Sequence, residues 1–426
     1  MLIRLFYTLL LTLVAPLLLF GLYKSKPNKP KFGRRWKEHF GITPRIKSNQ
    51  RPIWIHAVSV GESIAAVPLI KELKKQNPDQ TIVVTTTTST GAEQIEKLGE
   101  LVEHRYMPID FSFAVKGFLK AVNPTHMLII ETELWPNTLH QVSQFGVPIT
   151  VVNARLSEKS HNNYAKVQSL FDSLHPCLTK VLCQTESDAL RFESLGIDKS
   201  KLAITGSIKF DIQISDEVRE KGKTLRKELG ESRSVWIAAS THEGEDEQVL
   251  EAHKRVLESH PNALLIIVPR HPERFDDVFE LSQTFGFETE RRTKQMNKQA
   301  PITDRTQVYL GDTMGEMLIL MGAADVCFMG GSLIGDKVGG HNVLEPAALG
   351  VPVISGPSYY NFKQIVEKML KANAISAVDN NQLNNQLLSM FTSLDSRKAQ
   401  TVNAKTIVEQ NVGAINKTIS EINTKL

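Results

Sequence analysis

IWIHAVSVGES, residues 53–63, decides the fold: a β-branched, apolar run leaves through a glycine and a carboxylate into a helix-length segment from Ser63 to Lys75. The same alternation continues on both sides of the chain's midpoint. TIVVTTTT (81–88), HRYMPI (104–109), MLIIETELW (127–135) and PITVVNAR (148–155) are strand-like and separated by helical patterns. SVWIAAST (234–241), NALLIIVPR (262–270), QVYLGD (307–312), DVCFMGG (325–331) and VPVISG (351–356) repeat the style. Strands separated by helix-length segments form βαβ units and a parallel sheet. At 426 residues the chain is too long for one ordinary core. The expected architecture is therefore α/β: two Rossmann-like domains of similar size facing a cleft. The join is expected between Thr205 and Ser215, before a charged helix from Asp216 to Leu229.

Charge is distributed unevenly. The formal net charge is +4, but eleven of the fifty Lys and Arg residues lie at or before Arg51, against the single acid Glu38. The rest holds 39 bases and 45 acids, which argues against a general nucleic-acid binder. Cys177, Cys183 and Cys327 have no metal-ligand spacing, and they read as small hydrophobes in a reducing compartment with no disulfide.

Residues Leu5 to Tyr23 are almost wholly apolar, and as a helix they reach ~28 Å, enough for a hydrocarbon core. A cleaved signal peptide is the rival reading. The exit FGLYKSKP lacks a small-x-small site, and a basic cluster from Lys24 to Arg51 follows at once. That combination favours an anchor with the body on the cytoplasmic side. The cluster carries Phe32, Trp36 and Phe40 among its bases, so it suits an anionic membrane surface as well as a topology signal. The expected division is an anchor (1–23), a basic juxtamembrane segment (24–51), an N-terminal acceptor domain (52–210) and a C-terminal nucleotide domain (211–426).

In open parallel sheets ligands bind beyond the carboxyl ends of the strands, so the strand exits are where chemistry is sought. Glu62 stands at a helix start, where a carboxylate complements the dipole whether or not it reacts. Glu131 ends the run HMLII, and a buried carboxylate is costly unless paired. Arg270, His271 and Arg274 suit an anionic phosphate, or form a basic surface turn. The glycines and Asn342 before LEPAALG offer backbone N–H groups to a phosphate, with Glu345 placed for a ribose hydroxyl pair. Acids mark the first half and bases with glycines the second. This suits a hydroxyl acceptor on one side and a nucleotide on the other.

Taken in order, the anchor with its basic skirt, SVGE (59–62), ETELWPN (131–137), NARLS (153–157), TGSIKFD (205–211), STHEGE (240–245), PRHPERF (269–275), GDTMGE (311–316), GGSL (330–333) and GGHNVLE (339–345) closely resemble the 3-deoxy-D-manno-octulosonic acid (Kdo) transferase family. The segment IGDKV (334–338) is longer than in typical members, and Val343 stands where a proline is often found. The resemblance implies an inverting GT-B glycosyltransferase of lipopolysaccharide core assembly. It would move Kdo from CMP-Kdo to the lipid A precursor lipid IVA at the inner face of the inner membrane. It also implies Glu62 as general base and Glu131 with Lys209 as transition-state stabilisers. CMP contacts carry over to Pro269, Arg270, Met314, Gly315, Glu316, Asn342, Val343, Leu344 and Glu345. No DxD-type pair or metal-spaced histidine cluster stands at these exits, so transfer is expected without a metal or other cofactor. A GT-B enzyme with a different nucleotide donor, or a nucleotide-sugar epimerase on the same fold, is one rival class, and a non-catalytic membrane scaffold is the second. Only the first would share the nucleotide site.

Overall fold

Apolar strands that pair in parallel must be covered on both faces, and both halves of the chain meet this demand in the same way. The computed structural model describes residues 2–24, 31–48, 50–212, 214–297 and 302–423. Two compact units divide it, Met1–Asp211 with Asn411–Leu426, and Ile212–Gln410.

The first unit carries seven parallel strands: β1 (Ile53–His56), β2 (Ile82–Thr86), β3 (Glu103–Tyr106), β4 (His126–Ile130), β5 (Ile149–Ala154), β6 (Lys180–Cys183) and β7 (Leu202–Ile204). Their order is β3-β2-β1-β4-β5-β6-β7. Alternate residues feed opposite faces. Trp54, Val83, Met127 and Ile129 enter one core, while Ile53, Ile55, Val84, Leu128 and Ile130 enter the other. The second unit carries β8 (Val235–Thr241), β9 (Leu264–Pro269), β10 (Thr289–Arg291), β11 (Val308–Leu310), β12 (Val326–Met329), β13 (Val353–Ser355) and β14 (Ser376–Ala377). Their order is β10-β11-β9-β8-β12-β13-β14, again all parallel. Strand order reverses between β1 and β4 in one sheet and between β8 and β12 in the other. These are the crevices where such sheets take ligands. Cys183 and Cys327 are buried in β6 and β12.

The α/β architecture read from the sequence is thus present, with more strands than the apolar runs announced. β7, β10 and β14 are only two or three residues long, and all three lie at sheet edges. The C-terminus departs from the expected 211–426 domain, because residues from Asn411 onward return to the first unit. The helix Ala414–Asn423 buries Ile415, Ile419 and Ile422 in the core built on Ile53, Leu69 and Ile70. Its start is held by buried Asp211, whose two carboxylate oxygens accept the backbone N–H groups of Gly413 and Ile415.

The basic segment is also more integrated than a spacer. Residues 25–30, which include Lys26 and Lys29, lie outside the described residues. Beyond them the turn Gly33–Phe40 docks on β3 and on the helix Ser112–Val122. Gly41 ends that turn at φ 76°, where a Cβ would lie 2.1 Å from the Ala114 carbonyl oxygen. Arg35 is committed inside the unit. Its guanidinium donates to Glu38, Glu96 and His104 and sits 4.6 Å over the Tyr106 ring. It is therefore not a headgroup contact, whereas Arg34, Lys37, Arg45 and Lys47 are exposed.

Asp211→Ala should strip two backbone donors of their acceptor and lower the unfolding free energy of the first unit by about 2–4 kcal/mol. Urea titration followed by tryptophan fluorescence checks this. A loss under about 0.5 kcal/mol, in the range of an ordinary surface substitution, would mean that apolar packing alone holds the terminal helix.

Candidate active site

At the first switch point the exits of β1 and β4 bring three carboxylates together. Ser59 caps the helix Val60–Gln76, its Oγ accepting from the Glu62 backbone N–H and donating to Glu62 Oε1 at 2.8 Å. Glu62 Oε2 accepts from the Val58 backbone N–H, also at 2.8 Å. This is a variant of the capping box, in which the N3 glutamate reaches back to the cap's hydroxyl and to the N–H of the residue before it. Burial pushes the Glu62 carboxyl up to about 7, and the charges of Glu133 and Glu131 add to the rise against the two hydrogen bonds. Glu62 is therefore both a cap and a carboxylate poised near neutrality.

Glu131 leaves β4 at φ 61°, a left-handed conformation that costs a non-glycine residue of order 1 kcal/mol or more. Its Oε1 accepts from Lys209 Nζ at 2.8 Å. Lys209 stands on the short turn Ile208–Phe210, which is fixed from β5, where Asn153 Oδ1 accepts from the Ile208 backbone N–H at 3.2 Å. Asn153 is fully buried at φ 57°, and its Nδ2 has no hydrogen-bond partner among the described residues. The sequence reading passed over it within NARLS. It also passed over Glu133, whose carboxyl is raised by burial while Oε2 accepts from the Trp135 indole at 3.0 Å.

In the second unit the residues expected to hold CMP divide into free groups and committed ones. Pro269 closes β9, and the Arg270 backbone N–H donates to the Thr241 carbonyl. Among the described residues none pairs with the exposed Arg270 guanidinium, which suits it to an anion. Arg274 does not share that freedom, because it is ion-paired with the fully buried Asp246. Met314 is 71% exposed beside Gly315 at φ 84°. The Glu316 carboxylate is taken up by Arg292, at 2.9 and 3.1 Å, and by Thr313, and the Arg292 hydrogen bonds keep its carboxyl below the usual range. What this loop offers a ligand is its backbone and Met314. Asn342 Oδ1 accepts from the Leu344 backbone N–H, and its Nδ2 donates to Glu345 Oε1 at 3.3 Å. Burial raises the Glu345 carboxyl, while Asn342 and nearby Arg270 oppose the rise. Val343 and Leu344 are buried, so only their backbone can serve a ligand.

One further carboxylate organises this end of the second sheet. Glu245, with no exposed surface, accepts from the backbone N–H groups of Gly331, Ser332 and Leu333 at 2.7–3.0 Å and of His242 at 3.3 Å. It ties the exit of β8 to the glycine turn after β12. Beside it His242 Nε2 lies 2.8 Å from His341 Nε2. Neither histidine was singled out by sequence. No group of three or more His, Cys, Asp or Glu among the described residues has the arrangement to hold a metal ion.

Comparison with known proteins matches residues 34–212 to the family model described as 3-deoxy-D-manno-octulosonic-acid transferase (kdotransferase). Residues 221–407 match that of glycosyl transferases group 1. The chain is 37% identical to the 3-deoxy-D-manno-octulosonic acid transferase of Haemophilus influenzae, covering 97% of this chain and 96% of that one. The C-terminal CMP-Kdo binding domain of WaaA from Acinetobacter baumannii is 37% identical over its full length and 46% of this chain, with a TM-score of 0.43. The UDP-GlcNAc 2-epimerase of Neisseria meningitidis, 13% identical, covers 88% of this chain and 100% of that one at a TM-score of 0.56. The epimerase likeness concerns the fold alone, which is GT-B-like.

The Glu62 carboxyl should titrate with a midpoint about 7 when followed by 13C NMR of labelled glutamate. Because the folded pKa lies above the unfolded one, ionising Glu62 lowers stability as pH rises from about 4.5 through 7. A midpoint below about 5, near an unperturbed glutamate, would mean the carboxylate is solvated and the pocket open.

Proposed function

Because the chain belongs to the 3-deoxy-D-manno-octulosonic acid transferases, glycosyltransferases of lipopolysaccharide biosynthesis, we propose that it takes Kdo from CMP-Kdo and adds it with inversion to the tetraacylated lipid A precursor, lipid IVA. The observation that carries the mechanism is Glu62, a desolvated carboxyl near neutrality beside the Glu131–Lys209 pair. A general base works best when its pKa lies close to the operating pH. In the proposed step ionised Glu62 removes the proton from the lipid hydroxyl as its oxygen bonds to the anomeric carbon. The bond to the CMP phosphate oxygen breaks on the opposite side, and the electron pair leaves with CMP. One displacement gives inversion.

Glu131 and Lys209 then act electrostatically around the developing charge. Pro269, Arg270, the 314–316 loop and the 342–345 turn are the proposed CMP contacts, with Arg270 the cation for the leaving phosphate. Metal-free transfer is part of the proposal, the charge work falling to Lys209, Arg270 and oriented backbone N–H groups.

Glu62→Gln keeps the shape of the side chain and should lower turnover by ~10²–10⁴-fold with CMP affinity near that of the parent. Mass spectrometry of the lipid product from CMP-Kdo and lipid IVA reads this directly and also counts the sugars added. Transfer within a few-fold of the parent rate would remove Glu62 as the base. Failure of the parent to modify lipid IVA would reject the acceptor.

For location, Ile3–Tyr23 is long and apolar enough to cross a membrane, and the proposal places it in the inner membrane with the body on the cytoplasmic face. The exposed bases Arg34, Lys37, Arg45 and Lys47 would meet anionic headgroups. One observation favours a second reading, in which the helix Leu2–Tyr23 lies along the membrane. It is hydrogen-bonded to the body near both ends, Thr8 Oγ1 to Asn137 Nδ2 at 3.0 Å and the Tyr23 hydroxyl to His39 Nδ1 at 2.7 Å. A cysteine placed at Ile3 should react with an impermeant maleimide from the periplasmic side if the helix crosses. Labelling only after the inner membrane is opened would establish the second reading.

A further inference from the structure

His242 and His341 are not among the residues assigned to CMP above, yet they stand close to Arg270 and Asn342, where ligands approach such a sheet. His242 leaves β8 at the switch point, and His341 follows the paired glycines 339 and 340. Their Nε2 atoms are 2.8 Å apart, the ring planes lie within 6° of each other and the centroids are 5.1 Å apart. Rings that were face to face would not bring two Nε2 atoms this close at that centroid separation. The geometry is that of two imidazoles joined edge to edge in nearly one plane. Glycine at 331, φ 68°, leaves room for it, since a Cβ at that position would lie 2.7 Å from Val338 and 3.0 Å from the His341 ring.

An N···N distance of 2.8 Å requires one proton between the nitrogens, since two bare lone pairs or two N–H groups would repel. In the neutral pair one ring donates through Nε2 and keeps a bare Nδ1, and the other accepts and carries its proton on Nδ1. The pair therefore turns one donor and one acceptor outward. A second proton on the bare Nδ1 would convert both outer positions to donors and give the pair a charge.

The surroundings oppose that second proton until an anion arrives. The His271 ring centroid is 5.5 Å from that of His242, and Arg270 and Arg274 add positive charge from the exit of β9. Nearby carboxylates compensate little. All four backbone donors named above converge on Glu245, Asp246 is paired with Arg274, and Glu345 is bonded to Asn342. Burial first, then His271, Arg270 and Arg274, holds His242 down at about 4, and burial first, then His242, Arg270 and His271, holds His341 down at about 3.

We infer that His242 and His341 form a proton-sharing pair that recognises the phosphate of the nucleotide donor and takes up one solvent proton as the anion binds. The inference rests on the donor-site reading above and adds to it a second phosphate-recognising element beside Arg270. An incoming phosphate oxygen offsets the positive charge of Arg270 and accepts from the newly protonated Nδ1. This favours the charged form of the pair only in the complex. By linkage, a group that binds its proton more tightly in the complex makes affinity rise as pH falls.

The probe is the methyl ester of CMP, a phosphodiester like the donor, whose phosphate keeps a single negative charge across the range. Calorimetric titration of the full chain at pH 5.5, in two buffers of different ionisation enthalpy, should show uptake approaching one proton. Affinity should rise by up to about tenfold per pH unit between pH 7 and 5. His341→Gln and His242→Gln should each bind more weakly at pH 5.5, with no uptake and a flat pH profile. Binding without proton uptake by the parent chain, or uptake retained in either histidine variant, overturns the pair while leaving the donor site in place. No binding of the ester at any pH overturns the pair together with the donor-site reading.

Discussion

Both units depend on one kind of interaction, a buried carboxylate that accepts backbone N–H groups from a neighbouring strand exit. Parallel sheets covered on both faces leave their unsatisfied backbone donors at the ends of strands and the starts of helices. Burying such donors without a partner costs about 1–3 kcal/mol each. Acids placed at the exits remove that cost. Asp110 accepts from the backbone N–H groups of Asn137 and Thr138, Asp188 from Leu156, Asp312 from Thr293 and Glu245 from four residues. A carboxylate at the end of an apolar strand is therefore first an element of architecture, and any chemistry it performs is added to that.

This explains how far the sequence could be read. The ends of apolar runs are visible in it, so β1, β4, β8 and β9 and the exits bearing Glu62, Glu131 and Arg270 were legible without coordinates. Which acid serves which donor was not, because Glu245 acts on residues 86 to 88 positions away and Asp211 on residues more than 200 away. Arg270 and Arg274 look alike in PRHPER, and only the position of Asp246 separates the free cation from the committed one. The three short strands were missed for a related reason. Thr289–Arg291 carries two charges in three residues and is a strand because β11 pairs with it, not because of an apolar pattern. The terminal helix was opaque because an amphipathic helix carries no mark of which core it covers.

Asn153 belongs to the same class of hidden residue. Its left-handed backbone, full burial and the hydrogen bond its side chain accepts from Ile208 make sense only with the turn that carries Lys209 in place. Glu131 is held in a similar left-handed conformation one strand away, so both ends of the Glu131–Lys209 pair rest on backbone that the surrounding sheet must hold against its preference. Strain of this kind is tolerated where position matters more than stability.

Glu62 is the case in which architecture and chemistry compete most directly. Its two hydrogen bonds favour the carboxylate, yet burial and the neighbouring acids win and leave the carboxyl at about 7. Relative to an ordinary glutamate the ionised form is disfavoured by on the order of 3 kcal/mol, a large share of a domain's stability. A residue whose sole duty were to cap the helix would be better served by a solvated carboxylate, because capping needs an acceptor and desolvation weakens its ionised form. The capping box nevertheless has a use beyond stability. By fixing one oxygen on Ser59 and the other on Val58 it removes the rotamer freedom of the side chain, so the proton acceptor is presented in one orientation. Capping and base catalysis are then two uses of one constraint, and the raised pKa is what capping alone would leave unexplained.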